Sequence, residues 1–193
     1  VLTKASEYSA IVRLTQKGGL ISTYFETTDF LAPIQDTFYE SHTASEYFTQ
    51  VDATIDLDVG DLAVSLQSGT NFPSQFFSVK WTGYLQARFT ETYRLYLFSQ
   101  RSAAFSLSLN GEVLIVNTFA QVQSDSTPNS AYFASRDIEL QAGQLLPLEV
   151  TYAERLGSTL LRLYWESDSQ EFAQVPSEQL YHTLNSERTP YTF

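Results

Sequence analysis

The sequence predicts an all-β fold, an antiparallel β-sandwich, and three observations lead to this prediction. Aromatic residues make up 15% of the 193-residue chain, and Tyr and Phe favour strands over helices. Short segments of alternating apolar and polar residues recur along the chain, whereas helical periodicity is nearly absent. A chain of this length also suits a single domain with one sizeable core.

Strand patterns follow one another between turn signals. The predicted strands are residues 8–15, 21–25, 54–58, 77–85, 92–98, 105–109, 113–116, 148–152 and 161–165. Asn110 and Gly111 stand between two of these strands and predict a two-residue type I′ turn, because both tolerate the positive φ that this turn requires. Residues 177–180 predict one short helical turn.

The chain divides into three pieces. Residues 1–18 form a flanking strand, and its half-buried face consists of Tyr8, Ala10, Val12 and Leu14. The pair Gly18-Gly19 interrupts this strand, and residues 19–181 carry the main sandwich. Residues 182–193 form a second flanking strand, which ends with Pro190, Tyr191 and Phe193.

The chain is acidic, with a net charge of −11 and a pI near 4.5. Such a surface repels phosphate backbones, which argues against a nucleic-acid partner. No apolar run approaches the roughly 20 residues of a membrane span, so no membrane insertion is predicted. The lack of Cys excludes disulfides, thiolate catalysis and thiolate zinc sites.

Catalytic patterns are missing, and the sequence predicts a protein that is not an enzyme. His42 and His182 are the only histidines, and the chain contains no Gly-x-Ser-x-Gly elbow for a hydrolase triad. Glu149 and Glu154 could be paired as glycosidase carboxylates, but a structural role is favoured for Glu149. Phosphate-binding loops, dinucleotide fingerprints and basic stripes are also absent.

Two groups of residues allow both a binding role and a structural one. The first group consists of Asp52, Asp56, Asp58 and Asp61. These carboxylates could bind calcium, but they lack EF-hand spacing, and their alternation with apolar residues favours a strand with one solvated face. The second group is Trp81 and Trp165, which could be sugar platforms; their apolar neighbours favour core positions.

A series of motifs in fixed order carries a family resemblance. The motifs are residues 19–25, 77–83, 91–96, 109–115, 140–144 with 149–152, 161–165 and 175–181. Together they resemble the PA-14 domain, the β-sandwich named after the N-terminal fragment of anthrax protective antigen. The resemblance spans residues 19–181 and implies a non-enzymatic module of toxins, glycosidases, fungal adhesins and large surface proteins.

The best-understood members of that family are calcium-dependent lectins, and this sequence departs from them at the metal site. Two consecutive aspartates in the family bind the cation, whose open positions accept sugar hydroxyls. Here Gln100-Arg101 or Ser102-Ala103 stands at that place, and no carboxylate lies between Ser99 and Leu109. The resemblance therefore implies a degenerate lectin-type loop with no cofactor, and calcium would require a relocated site.

Ligand contacts can still be assigned by this resemblance and by the aromatic residues that follow a turn-rich insertion. The candidate ligand-binding residues are Gln100, Arg101, Ser102, Asn110, Tyr132 and Phe133. Aromatic stacking could bind sugars at such a site without a metal.

The two ends of the chain have a second resemblance. Residues 8–12 with Gly18-Gly19, and residues 184–193 with Thr189-Pro190-Tyr191, resemble the last strands of a filamin-type immunoglobulin repeat. This implies that the flanking strands add to the sheet of an immunoglobulin-like neighbour, in the same chain or in another copy. The alternative is that both are ordinary terminal strands of one sandwich.

The first function hypothesis is a structural or adhesive module of a large extracellular or cell-surface protein, one that forms filaments by self-association through its terminal strands. The alternative is a lectin-like, carbohydrate-binding domain that has lost its calcium site and binds glycans. A third hypothesis, an accessory domain of a toxin or glycosidase, differs from the first mainly in the rest of the polypeptide.

Overall fold

Two antiparallel β-sheets pack face to face in the computed structural model, which describes residues 15–25, 48–58, 77–118, 130–155 and 159–183. The first sheet contains β1 (Thr15–Lys17), β2 (Leu20–Phe25), β3 (Phe48–Asp52), β5 (Phe77–Gln86), β7 (Ala104–Leu109), β8 (Glu112–Asn117), β11 (Leu145–Glu154) and β14 (Leu180–Thr183). The second sheet contains β4 (Asp56–Asp58), β6 (Glu91–Gln100), β9 (Ser130–Ala134), β10 (Ile138–Leu140), β12 (Leu160–Glu166) and β13 (Ala173–Gln174). The predicted all-β sandwich is confirmed.

The order of strands follows from their pairing. The first sheet runs β1-β14-β5-β11-β7-β8, and β2 joins β5 on the same edge as β14 and also pairs with β3. The second sheet runs β10-β6-β12-β13, with β9 beside β6 and β4 beside β12. Long central strands such as β5, β6 and β11 therefore lie in the middle of each layer, where both edges are hydrogen-bonded.

The core lies between the sheets and is built mainly from alternate residues of the strands. In β6, Leu95 and Leu97 are fully buried, while the residues between them point outward. Trp81 from β5 and Trp165 from β12 are 1% and 0% exposed, which confirms their predicted core positions. Each such large apolar side chain contributes about 1.5–3 kcal/mol by leaving water.

Most predicted strands lie within observed ones, and the hairpin is confirmed. Asn110 has φ of 52° and Gly111 has φ of 81°, the positive values that the two-residue turn between β7 and β8 requires. The strand predicted at residues 54–58 is shorter, beginning at Asp56. Residues 8–14 of the first predicted strand lie outside the described residues.

Helical structure is limited, within the described ranges, to a 3₁₀ turn at Ser177–Gln179, where one short turn was predicted. No helix in those ranges is long and apolar enough to cross a membrane.

The ends of the described sandwich pair with each other. Thr15 lies opposite Thr183 in the antiparallel pair β1–β14, and the backbone N–H of Gly18 donates to the carbonyl of Leu180 at 2.9 Å. The sheet thus extends a few residues beyond the predicted limits of 19 and 181. Residues 1–14 and 184–193 lie outside the described parts, so the immunoglobulin-like neighbour stays a prediction.

Gly83 is required where two strands share one edge of β5. Strand β2 pairs with residues 78–82, and β14 pairs with Tyr84 and Leu85. A Cβ at Gly83 would collide with the carbonyl oxygen of Tyr181 and the side chain of Leu20. Any side chain here would push β14 away from β5.

Candidate functional site

Five aromatic side chains lie together on the outer face of the second sheet. We call this surface the aromatic face; its members are Tyr96 and Phe98 of β6, Tyr132 of β9, Tyr164 of β12, and Phe172 just before β13. The strand members point outward because their neighbours in sequence, such as Leu97 and Leu163, fill the core.

Strand register brings these rings together. Tyr132 lies directly opposite Phe98, and Tyr96 lies directly opposite Tyr164. The ring centroids of Phe98 and Tyr132 are 4.6 Å apart, and those of Tyr132 and Tyr164 are 5.6 Å apart. Such distances are typical of attractive aromatic pairs, each contributing about 0.5–1.5 kcal/mol.

Phe172 completes the aromatic face from a loop. Its ring centroid lies 5.2 Å from that of Tyr96, 5.4 Å from Tyr132 and 5.2 Å from Tyr164. Phe172 is 43% exposed and Tyr132 is 51% exposed, so these two rings offer the most surface to a ligand. An apolar surface of this kind in water commonly marks an interaction site.

The loop that carries Phe172 is attached to Glu91 at the start of β6. The Glu91 carboxylate accepts hydrogen bonds from the Ser167 hydroxyl at 2.7 Å, the Ser169 backbone N–H at 3.0 Å and the Ser169 hydroxyl. These bonds favour the charged form and lower the pKa of Glu91, the Ser169 hydroxyl having the largest effect. Glu91 therefore holds the loop at Ser167 and at Ser169, which lies three residues before Phe172.

Polar groups surround the aromatic face. The Tyr96 hydroxyl donates to Glu166, and partial burial followed by this hydrogen bond raises the pKa of Tyr96. Arg94 donates from Nε to Asp137 at 2.8 Å. These neutral phenols and charged groups provide hydrogen-bond donors and acceptors beside the rings.

A second guanidinium group lies on the other side of the aromatic face, and we call the charged groups around that face its rim. Arg162 donates from Nε to Asp56 and from Nη2 to Asp58 at 3.0 Å, and the hydrogen bond to Asp56 is the main cause of its raised pKa. The rim therefore contains four carboxylates and two guanidinium groups, and its net charge is negative.

The predicted lectin-type residues do not form one site. Gln100, Arg101 and Ser102 lie at the start of the β6–β7 turn, where the Asn117 side chain donates to the Ala103 carbonyl at 2.7 Å. Asn110 lies at the opposite end of β7, a distance of roughly 20 Å for a six-residue strand. Its backbone N–H donates to the Pro147 carbonyl at 2.7 Å.

Tyr132 and Phe133 are adjacent, but they point to opposite sides of β9. Tyr132 belongs to the aromatic face, whereas Phe133 packs inward against Phe105 with ring centroids 4.7 Å apart. The Arg101 guanidinium lies 6.0 Å from the centre of the Phe133 ring, within the range of a cation–π contact. Of the predicted ligand-binding residues, Tyr132 alone joins the aromatic face.

The acidic residues with a possible calcium role are separated. Asp52 faces inward and accepts hydrogen bonds from the Tyr24 hydroxyl and from Trp81 Nε1, both at 2.8 Å. Asp56 and Asp58 pair with Arg162 on the outer side, as expected for a solvated strand face, and Asp61 lies outside the described residues. In the part of the chain that the structure describes, no three metal-binding side chains form a group.

The two glutamates considered as a glycosidase pair lie on opposite faces of β11. Glu149 points outward and pairs with Lys80 at 2.8 Å, whereas Glu154 is buried and accepts a hydrogen bond from the Tyr152 hydroxyl at 2.9 Å. Two carboxylates on opposite sides of a sheet cannot flank one glycosidic bond. His182 is buried with Nδ1 at 3.3 Å from the Gly19 carbonyl oxygen, and His42 lies outside the described residues.

The outer face of the first sheet has a different composition. We call it the hydroxyl face; its members are Thr23, Thr82, Ser106, Ser108 and Thr151. An open groove of about 490 Å³ lies on this side, lined in part by Thr82, Ser108 and Glu149. Among the described residues that line this groove, Tyr84 supplies the one aromatic ring, against five on the aromatic face. The aromatic face is therefore the better candidate site.

Four members of the aromatic face were not predicted from the sequence as site residues: Tyr96, Phe98, Tyr164 and Phe172. A signal was present for the first two, because each follows a buried Leu in β6 and must point to the outer face. An aromatic ring at two successive outward positions of one strand is a detectable pattern. Phe172 could not be found this way, since it lies in a loop and not in a strand with alternating sides.

Comparison with known proteins gives both a family match and similar structures. A family model described as the PA14 domain matches residues 16–179. The anti-sigma-I factor RsgI3 of Acetivibrio thermocellus is 28% identical over 149 residues, covering 77% of this chain. This chain spans only 21% of that protein's length.

Two solved structures have the same fold. An anti-sigma factor domain-containing protein from Clostridium clariflavum has a TM-score of 0.62 at 24% identity, over 85% of this chain and 47% of that one. A PA14 sugar-binding domain from an RTX adhesin has a TM-score of 0.54 at 16% identity, over 86% of this chain and 99% of that one. At these identities the likeness concerns the fold alone.

Proposed function

The chain belongs to the PA14 domain family, and from this premise we propose that it is a non-enzymatic, carbohydrate-binding adhesive module of a larger extracellular protein. Its ligand-binding surface is the aromatic face. The observation that carries the proposal is the cluster of five contacting rings on one sheet surface, in which Tyr132 is 51% and Phe172 43% exposed and the other three are half-buried.

Sugar chemistry fits such a surface. A pyranose ring has a face of C–H groups that packs on an aromatic ring, and its hydroxyls need hydrogen-bond partners at the edges. Binding sites generally combine apolar and aromatic walls with a few placed polar groups. Here the aromatic face supplies the walls, and the Glu166 and Arg94 side chains lie beside it.

The absence of catalysis is part of the proposal. The four carboxylates around the aromatic face already bind Tyr96, Arg94 or Arg162, and a general acid would have to leave these partners to reach a glycosidic oxygen. Glu149 and Glu154 lie on opposite faces of β11, which also argues against a hydrolase.

The relatives are consistent with this role. The similar RTX adhesin domain is described as sugar-binding, and the matching anti-sigma-I factor carries its corresponding segment within a much longer protein. A domain used in adhesins and in anti-sigma factors suits a recognition module attached to different effectors. The extracellular or cell-surface location of this chain is inferred from that usage.

Binding of the purified chain to a glycan array tests the proposal. We expect Tyr132→Ala combined with Phe172→Ala to weaken binding at least tenfold, because the two most exposed rings are removed. Phe89→Ala is the matched control: Phe89 is 40% exposed and, within the described residues, makes no ring contact with the aromatic face. Equal binding by wild type and the double variant, or binding to proteins and to no glycan, would refute the proposal.

A second candidate function, assembly through the end strands, is favoured by the position of β1. This strand lies at the edge of the first sheet, and all three of its residues are exposed. An edge strand can accept a further strand from another chain. Light scattering of the full chain and of residues 19–181, which lack β1, tests this: association of the full chain alone supports it, and a monomeric state of both forms contradicts it.

A further inference from the structure

The geometry of the aromatic face points to one kind of glycan. We propose that it binds a single soluble, uncharged oligosaccharide chain through one or two sugar rings, without calcium. It does not bind the flat surface of a crystalline polysaccharide. This inference rests on the carbohydrate-binding function proposed above and adds the class and form of the ligand.

Ring orientation excludes a flat ligand. The plane of Tyr132 makes an angle of 79° with Phe172 and also with Tyr164. Binding to a crystalline surface needs exposed rings that lie in one plane, so that each rests on the same flat layer. The two most exposed rings here are nearly perpendicular, and a planar solid can rest on only one of them.

The size of the cluster limits the number of sugars. The centroids of Tyr132, Tyr164 and Phe172 are 5.2 to 5.6 Å from one another, so the three rings occupy one compact area. That area is comparable with one sugar ring and its substituents. Affinity should therefore stop increasing once a chain of two or three sugars is present.

Charge selects against acidic glycans. Both guanidinium groups beside the aromatic face are paired with carboxylates, Arg94 with Asp137 and Arg162 with Asp56 and Asp58. The whole chain carries a net charge of −11, which repels uronic acids and sulfated sugars. An uncharged ligand avoids this repulsion, and its affinity should change little with salt.

Metal is also unnecessary for this mode of binding. The Glu166 carboxylate already accepts from the Tyr96 hydroxyl, and the other rim carboxylates are held by arginines. A calcium ion would have to displace these partners before it could coordinate a sugar. Stacking on Tyr132 and Phe172 requires no such rearrangement.

Calorimetric titration of the full chain tests the inference. The probes are cello-, manno- and malto-oligosaccharides of two to six units, with polygalacturonic acid as the acidic polymer and microcrystalline cellulose as the flat solid. We expect one neutral series to bind with a Kd that changes less than threefold between the trisaccharide and the hexasaccharide. The Kd should be the same in calcium and in EDTA, at least tenfold weaker in Tyr132→Ala, and unchanged in Phe89→Ala.

The outcomes separate this inference from the proposed function. Adsorption to cellulose alone, preference for polygalacturonic acid, loss of binding in EDTA, or affinity that grows up to the hexasaccharide would overturn the inference and leave carbohydrate binding standing. Failure to bind any glycan on the array or in solution would overturn both.

Discussion

The hydroxyl face and the aromatic face occupy the same place on two sheets of one sandwich, yet they are built from different residues. Both consist of the outward positions of strands whose inward residues fill the core. Short side chains such as Ser106 and Thr151 satisfy those positions on the first sheet. Tyr84 is an outward ring on the first sheet as well, but among the described residues it joins no cluster like the five contacting rings of the second sheet, and this clustering calls for a functional explanation.

The largest expected loss of stability comes from a substitution in the first sheet. Gly83→Ala should lower the free energy of unfolding by about 3 kcal/mol, the upper end for an overpacked site, because the new methyl group meets the Tyr181 carbonyl. Chemical denaturation measures this, with the outward Thr82→Ala as control. A stability loss below that of Thr82→Ala would show that β14 moves aside easily.

Removing rings from the aromatic face should lower the free energy of unfolding by less than Gly83→Ala does. The combined change Tyr132→Ala and Phe172→Ala should lower the free energy of unfolding by about 1–2 kcal/mol, because ring pairs are lost but no core residue is removed. Thermal unfolding beside the binding assay measures it. A loss as large as that of Gly83→Ala would mean that these rings form a second core, and the contrast between the faces would fail.

On the hydroxyl face, single substitutions should have a still smaller effect. Ser106→Ala removes the hydrogen bond of 2.6 Å to the Thr151 hydroxyl, which is partly buried, and should cost about 1 kcal/mol or less. Glycan binding should be unchanged. Weaker binding in Ser106→Ala would assign a ligand to the hydroxyl face and reverse the roles of the two faces.

The smallest effect is a local response to pH at Glu91. Hydrogen bonds from Ser169 and Ser167 lower its pKa below the ordinary 4.5, so its attachment of the Phe172 loop is present above that value. The attachment is lost as the pH falls through the lowered pKa. The NMR signals of the Phe172 ring should shift as the pH is lowered below 4.5, with little change in global stability.

Glu91→Gln gives the control for this response. An amide does not titrate, so the Phe172 signals should lose their pH dependence in this acidic range. Signals that shift equally in both proteins would assign the response to another group.

Local patterns made much of the fold predictable. The alternation around Trp81 and Trp165 predicts burial because a strand must place every second residue on one side, and Asn110-Gly111 predicts its turn through backbone angles alone. Short strands such as β13, with two residues, carry too few positions to show a period. The pairing of β1 with β14 joins distant parts of the chain, which no local pattern encodes.

The candidate site was less predictable for the same reason. Tyr132 was identified, but its neighbours come from β6, β12 and a loop, and strand order decides that they meet. The resemblance to lectins directed attention to Gln100 and Asn110, which the length of β7 separates. A family motif locates a loop in sequence, whereas stacking surfaces arise from the register of the assembled sheet.

The pairing of Thr15 with Thr183 has a mechanical consequence for a module that holds two bodies together. Tension applied through residues flanking the described sandwich would reach β1 and β14 at adjacent points of one antiparallel pair. Such a load pulls across the strands and opens their hydrogen bonds one after another, as a zipper opens, instead of shearing them all at once. The short β1 would detach first and lengthen the connection under low force, while the aromatic face on the other sheet kept its shape.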